Sequence, residues 1–179
     1  MSYELALTNL EVRLMFGNMV RGWFLDYAED DYTDFIQALL NDDRKQMNIY
    51  MNRVLLATIS YFDSGSRPSG CEPERFYHGL VLGLLVELYD RFIVTSNRES
   101  GYGRYDIMLE PRGRGDVAMI MEFKVHDPGE ERSLEDTAAA ALEQIEEKRY
   151  AQALIDRGIA AERIRAYGFA FEGKRVLIR

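Results

Sequence analysis

Hydrophobic residues follow a helical period in the first part of the chain, and apolar strand-like runs alternate with helices in the second. From Leu7 to about Trp23 they recur at Leu10, Leu14, Phe16 and Val20, with Thr8 or Asn9 and Glu11 as a start signal. Two further helices are predicted over Tyr32–Leu40 and Met47–Phe62. The second carries Met47, Tyr50, Met51, Val54, Leu55 and Thr58 along one face. The polar, turn-forming run Asp63–Gly70 has no periodicity and marks a boundary. It divides an N-terminal helical subdomain, residues 1–65, from a second unit, residues 66–179.

That second unit opens with a helix over Pro73–Tyr89, its Pro near the first turn. Phe92–Thr95 reads as an edge strand, followed by strands at Tyr105–Leu109 and Ala118–Val125. The turn Pro111–Gly115 joins the last two as a hairpin. A long helix is predicted from Ser133 to Arg157, with Ser133 and Asp136 at its start and Gly158 past its end. Its run Ala138–Ala141 implies close approach to the sheet. Strands at Ile164–Phe171 and Val176–Ile178 meet around Glu172-Gly173-Lys174. The resulting order is α-β-β-β-α-β-β, an α/β unit.

One strand breaks its own pattern. Val117–Val125 is apolar on both faces, as in a covered central strand, yet it closes on Glu122-Phe123-Lys124. Glu122 and Lys124, two residues apart, share a face. Burying two charges there is costly unless each finds a partner. The preceding strand brings a lone Asp106 at its start. An Asp followed by Glu-x-Lys on the next strand is the layout of a divalent-metal phosphodiesterase site. The plainer alternative is a strand-end salt bridge between Glu122 and Lys124, with Asp106 capping a turn.

Composition narrows the classes. With 179 residues, 47% of them hydrophobic, the chain can fill one core with a helical subdomain attached. The single Cys71 excludes an internal disulfide and a cysteine-built zinc site. No basic stretch followed by an apolar one opens the chain, and the leucine-rich run Leu80–Leu88 is too short to span a bilayer. A soluble, cytoplasmic protein is expected. The formal net charge of −8 argues against coating nucleic acid by bulk attraction. Locally the balance differs, because Arg98, Arg104, Arg112 and Arg114 bracket the two motif strands.

Asp106 in Gly-Arg-Tyr-Asp, Glu122-Phe-Lys124 and Gln144 on the following helix together resemble the PD-(D/E)XK nuclease superfamily, from about Glu72 onward. The namesake Pro is Tyr105 here. The resemblance implies a restriction-endonuclease-like core (α-β-β-β-α-β) around a central mixed sheet, and hydrolysis of nucleic acid, DNA in the first instance. Mg²⁺ or Mn²⁺ would be held by Asp106, Glu122 and the backbone carbonyl of Phe123, with Lys124 positioning the attacking water. Gln144 would bond the phosphate or orient a ligand, or else be a solvated helix residue. Within the superfamily the chain looks most like a bacterial nuclease-like domain found C-terminal to an AAA-type ATPase-like domain. That implies an ATPase-like partner or upstream domain; the sequence has no Gly-rich P-loop of its own.

The helix before the sheet offers Glu74, His78 and Glu87. His78 shares a face with Glu74, Leu82 and Leu85 and points toward the sheet, as a residue near the metal or as a core-edge histidine. Tyr150 and Lys148 are weaker candidates, Tyr150 being read as packing and His126 as surface. Trp23, Tyr27, Tyr32, Tyr50 and Tyr61 are expected to pack the helical subdomain. Two other functions compete with a nuclease. One is a binding or regulatory module that keeps the fold without useful catalysis. The other is a homodimer or docking role for the N-terminal helices.

Overall fold

A computed structural model of the chain describes residues 31–58 and 73–179. The helix expected over Leu7–Trp23, the Asp63–Gly70 boundary, Cys71, Trp23, Tyr27 and Tyr61 lie outside them. Among the described residues no helix is long and apolar enough to cross a membrane.

The first described elements are α1 (Asp31–Leu40) and α2 (Arg44–Thr58). Between them Asp42 turns left-handed at φ 59°, and the Asp43 N–H returns to the Ala38 carbonyl at 2.8 Å, closing α1. Asp43 then caps α2 by accepting from the Gln46 N–H at 3.0 Å. After α3 (Pro73–Leu84) the chain tightens into a 3₁₀ segment, Leu85–Asp90, so the helix expected to reach Tyr89 changes winding in its last part. The strands are β1 (Phe92–Ser100), β2 (Gly103–Pro111), β3 (Ala118–Val125), β4 (Ile164–Glu172) and β5 (Arg175–Ile178). Helices α4 (Leu134–Glu147) and α5 (Gln152–Asp156) lie between β3 and β4.

The five strands form one sheet in the order β1-β2-β3-β4-β5. Only β3 and β4 are parallel; every other neighbouring pair is antiparallel. The sheet is therefore mixed, with β1 on an edge as expected but extending to Ser100. On one face, Phe35, Leu39, Met47, Met51, Leu55, Tyr77 and Val81 pack against Ile107, Met119, Met121, Phe123, Phe169 and Phe171 in a single apolar cluster. The opposite face takes α4. A smaller cluster there joins Met108, Ala118 and Ile120 to Ile145, Tyr150 and Leu154. The alanine run does bring α4 close: a Cβ on Gly168 of β4 would lie 2.4 Å from the Ala138 carbonyl oxygen.

The exposed edge of β5 is covered by side chains rather than by another strand. Asn48 of α2 donates to the Ile178 carbonyl and accepts from the Ile178 N–H, both at 2.8 Å. One helical turn on, Asn52 treats Val176 the same way, at 2.8 and 3.1 Å. Two amides spaced i, i+4 thus occupy the ladder groups of residues spaced i, i+2, which blocks edge-to-edge pairing.

The long helix expected over Ser133–Arg157 is broken. It starts as foreseen, with Ser133 accepting from the Asp136 N–H, but ends at Glu147. The Tyr150 N–H bonds the Ile145 carbonyl and the Arg149 N–H bonds the Glu146 carbonyl, with Arg149 left-handed at φ 53°. This is a Schellman stop with arginine where glycine is usual, a conformation costing an L-residue about 1–2 kcal/mol. The β1–β2 hairpin tip holds it in place: the Tyr102 N–H donates to the Lys148 carbonyl, and the Ser100 hydroxyl to the Tyr150 carbonyl, each at 2.8 Å.

Candidate functional site

The site forms where β2 and β3 part. Their ladder runs from Leu109–Met119 to Ile107–Met121, and the next step toward the sheet end sets Asp106 beside Glu122. One residue further, the Phe123 N–H donates not to backbone but to Asp106 Oδ2, at 2.8 Å. Strand alternation puts Met119, Met121 and Phe123 into the large apolar cluster, so Glu122 and Lys124 face α4.

There Gln144 meets both. Its Oε1 accepts from Lys124 Nζ at 2.9 Å, while its Nε2 donates to Glu122 Oε1 and lies 3.3 Å from the Tyr150 hydroxyl. The Tyr150 hydroxyl in turn donates to the Arg104 carbonyl at 2.9 Å, fastening this group to β2. Lys124 and Glu122 are joined through the amide and not by a direct ion pair. The strand-end salt bridge weighed from the sequence is not the arrangement found.

The electrostatics are those of a crowded acidic cluster. Glu122 is only 4% exposed. Burial, then the neighbouring Asp106 charge, lifts its carboxyl from 4.5 to about 8, against the pull of the Asp106 N–H and Lys124. Asp106 is also raised, chiefly by burial, with the Phe123 N–H, His78, Lys124 and Arg104 acting in the opposite sense. Glu122 Oε2 is buried and completes no hydrogen bond of acceptable geometry. An unsatisfied carboxylate oxygen beside a second carboxylate is a donor set suited to a hard divalent cation. Among the described residues no three or more His, Cys, Asp or Glu side chains gather as a metal site. A cation held by the carboxylate pair would need a donor of another kind. The N–H and C=O of one strand residue leave on the same side. Phe123 accordingly sends its carbonyl into the gap its N–H spans to Asp106.

His78 does not join this set directly. Its Nε2 lies 2.9 Å from the Ser96 hydroxyl and its Nδ1 3.4 Å from Asn97 Nδ2, both on β1. It remains near enough for its charge to favour ionised Asp106. Glu74, one turn earlier and exposed, adds a small repulsion to Glu122.

His126, expected at the surface, has a side chain only 7% exposed. Its Nδ1 lies 2.8 Å from the Thr137 hydroxyl and 3.4 Å from Glu131 Oε2, pinning the loop after β3 to α4. Tyr150, read as packing, does pack, yet its hydroxyl also reaches Gln144. The missed signal was the helix stop: without a glycine at residue 149, the break that turns Tyr150 inward was invisible. Tyr50 packs on Phe35 with ring centroids 5.6 Å apart, as expected of the helical part.

Neither a curated protein nor a solved structure shows significant similarity to the chain. A family model does: that of the PD-(D/E)XK nuclease superfamily matches residues 72–179, spanning α3 through β5 and every residue of the cluster just described. With the mixed sheet, its covering helices and this match across more than half its length, the chain belongs to the PD-(D/E)XK nuclease superfamily.

Proposed function

We propose that this chain hydrolyses phosphodiester bonds in DNA with Mg²⁺ or Mn²⁺, at a centre built from Asp106, Glu122, the Phe123 carbonyl, Lys124 and Gln144. The observation that carries the reading is convergence: Glu122 and Lys124 both bond the Gln144 amide, and Asp106 of the neighbouring strand accepts from the N–H of Phe123 between them. Asp106, Glu122 and the Phe123 carbonyl are the oxygen donors that would hold the cation. Once bound, a divalent ion there lowers the pKa of water and offsets negative charge developing on the phosphate.

The rest falls to the protein's own groups. Lys124 spends one N–H on Gln144 and keeps two for a water or a non-bridging phosphate oxygen. Gln144 fixes that ammonium, and the Tyr150 hydroxyl fixes Gln144's surroundings from the strand side. Glu122, its carboxyl pushed up to about 8, is the group that would give up a proton to ligate a cation. Attack by water at phosphorus forms one P–O bond as another breaks, leaving a phosphate end and a hydroxyl end.

The test is cleavage of single- and double-stranded DNA with Mg²⁺ or Mn²⁺ by the unmodified chain and by Lys124→Ala. Cleavage should fall by about a thousandfold in the variant with its unfolding midpoint little changed. Equal cleavage by both would place the chemistry elsewhere. The second reading, a module that binds without cutting, draws support from the net charge of −8. It predicts cation or DNA binding with no cleavage under any of these conditions. An ATPase-like partner and a homodimer rest on resemblance and on the N-terminal helices, and light scattering tests the dimer.

A further inference from the structure

Tyr102 is 72% exposed, the most exposed large hydrophobic side chain among the described residues. Isolated surface aromatics are common and need no explanation. This one differs in how firmly it is held. It sits in the two-residue turn closing the Ser100–Gly103 pair of β1 and β2. Its own N–H is fixed to the Lys148 carbonyl at 2.8 Å. The preceding Gly101, at φ +59°, packs so tightly that a Cβ would lie 2.1 Å from that carbonyl oxygen. The tip has no room to swing toward α4.

The ring is also backed by a cation. The Arg149 guanidinium lies 5.6 Å from the Tyr102 centroid, held there by the left-handed backbone that ends α4. The next residue, Tyr150, turns inward and its hydroxyl reaches Gln144, which binds Glu122 and Lys124. A rigid aromatic surface and the acidic cluster are thus successive parts of one hydrogen-bonded unit. Lys148 and Arg104 add positive charge along the same edge, although Glu99 faces Arg104 across the hairpin.

We infer that Tyr102 is a stacking platform for an unpaired base of a DNA strand reaching the Asp106–Glu122 cluster, with Arg149 as its backing. The inference rests on the nuclease reading for its substrate class and names the form of that substrate. A duplex already stacks both faces of its bases, whereas a single strand or frayed end gains a partner from a fixed ring. The site should therefore favour unpaired nucleotides.

The experiment measures anisotropy of a labelled single strand and of a hairpin duplex of the same composition, with Ca²⁺ as the cation and the full chain. Tyr102→Ala should weaken single-strand binding about tenfold and duplex binding by less than about twofold. Tyr102→Phe should stay within about twofold on both. Quenching of 2-aminopurine placed in the strand should disappear with Tyr102→Ala and persist with Tyr102→Phe. Unchanged single-strand binding by Tyr102→Ala, equal losses on both substrates, or no DNA binding by the unmodified chain would each overturn the platform. Cleavage by the unmodified chain in Mg²⁺ is scored separately. Tyr102-dependent binding without cleavage removes the nuclease reading and leaves the platform, while cleavage without Tyr102-dependent binding does the reverse.

Discussion

The two faces of β3 obey opposite rules within eight residues. One presents Met119, Met121 and Phe123 to helices α1 to α3 and is apolar throughout. The other begins the same way with Ala118 and Ile120, then turns to Glu122 and Lys124 under α4. Burying the Glu122 charge is unfavourable, and burial together with Asp106 pushes its carboxyl up to about 8. The apolar face supplies the stability that keeps the polar face in an unfavourable state. On the proposed reading, that packing is what keeps the acid pair in place for a cation.

Substitutions on the two faces should separate cleanly. The largest effect belongs to Phe123→Ala. Its ring packs edge-on to Phe169 at 5.1 Å and to Phe171 at 6.1 Å, so truncation should cost about 3–5 kcal/mol in denaturant unfolding. On the other face, Glu122→Gln should leave the protein as stable or more so. It should also change the pH dependence. Between 4.5 and about 8 the folded protein keeps a Glu122 proton that the unfolded chain has released. Stability should therefore fall as pH rises through that window, with Asp106 adding in the same sense. Unfolding followed from pH 4 to 9 should show the slope in the unmodified chain and a shallower one in Glu122→Gln. Saturating Mg²⁺ should flatten it as well, because the cation takes the proton's place. The smallest effect is that of Tyr150→Phe, which loses the bond to the Arg104 carbonyl and should cost about 1 kcal/mol. Its larger signature should be a loosened Gln144, visible as broadening of the side-chain amide signals by NMR.

The β strands were legible because their signals are local. A short continuous apolar run, the Pro111–Gly115 turn and a charge pair closing that run located β2 and β3, and Ala118–Val125 matches the strand residue for residue. Asp106 and Glu122 become neighbours through antiparallel register, which hairpin length alone constrains. What escaped was set by tertiary contact. The stop of α4 at Glu147 uses Arg149 in a conformation that sequence assigns to glycine, tolerated because the β1–β2 tip bonds the Lys148 and Tyr150 carbonyls. Gly158, left-handed at φ +90°, looked like the end of one helix and instead follows the short α5. His126 offered only its place beyond Lys124; the Glu131 and Thr137 side chains that enclose it come from the next loop and helix. The bond between Gln144 and the two charged residues was foreseeable as proximity but not as the link replacing a direct salt bridge.

The proposed function requires that the acids of two adjacent strands share one cation. Crystals grown with Mn²⁺ and measured above its absorption edge test this directly. The expected result is an anomalous peak between the Asp106 and Glu122 carboxylates, beside the Phe123 carbonyl and close to Lys124. Manganese bound only elsewhere on the molecule, with these two carboxylates still protonated or bonded to protein alone, would contradict it.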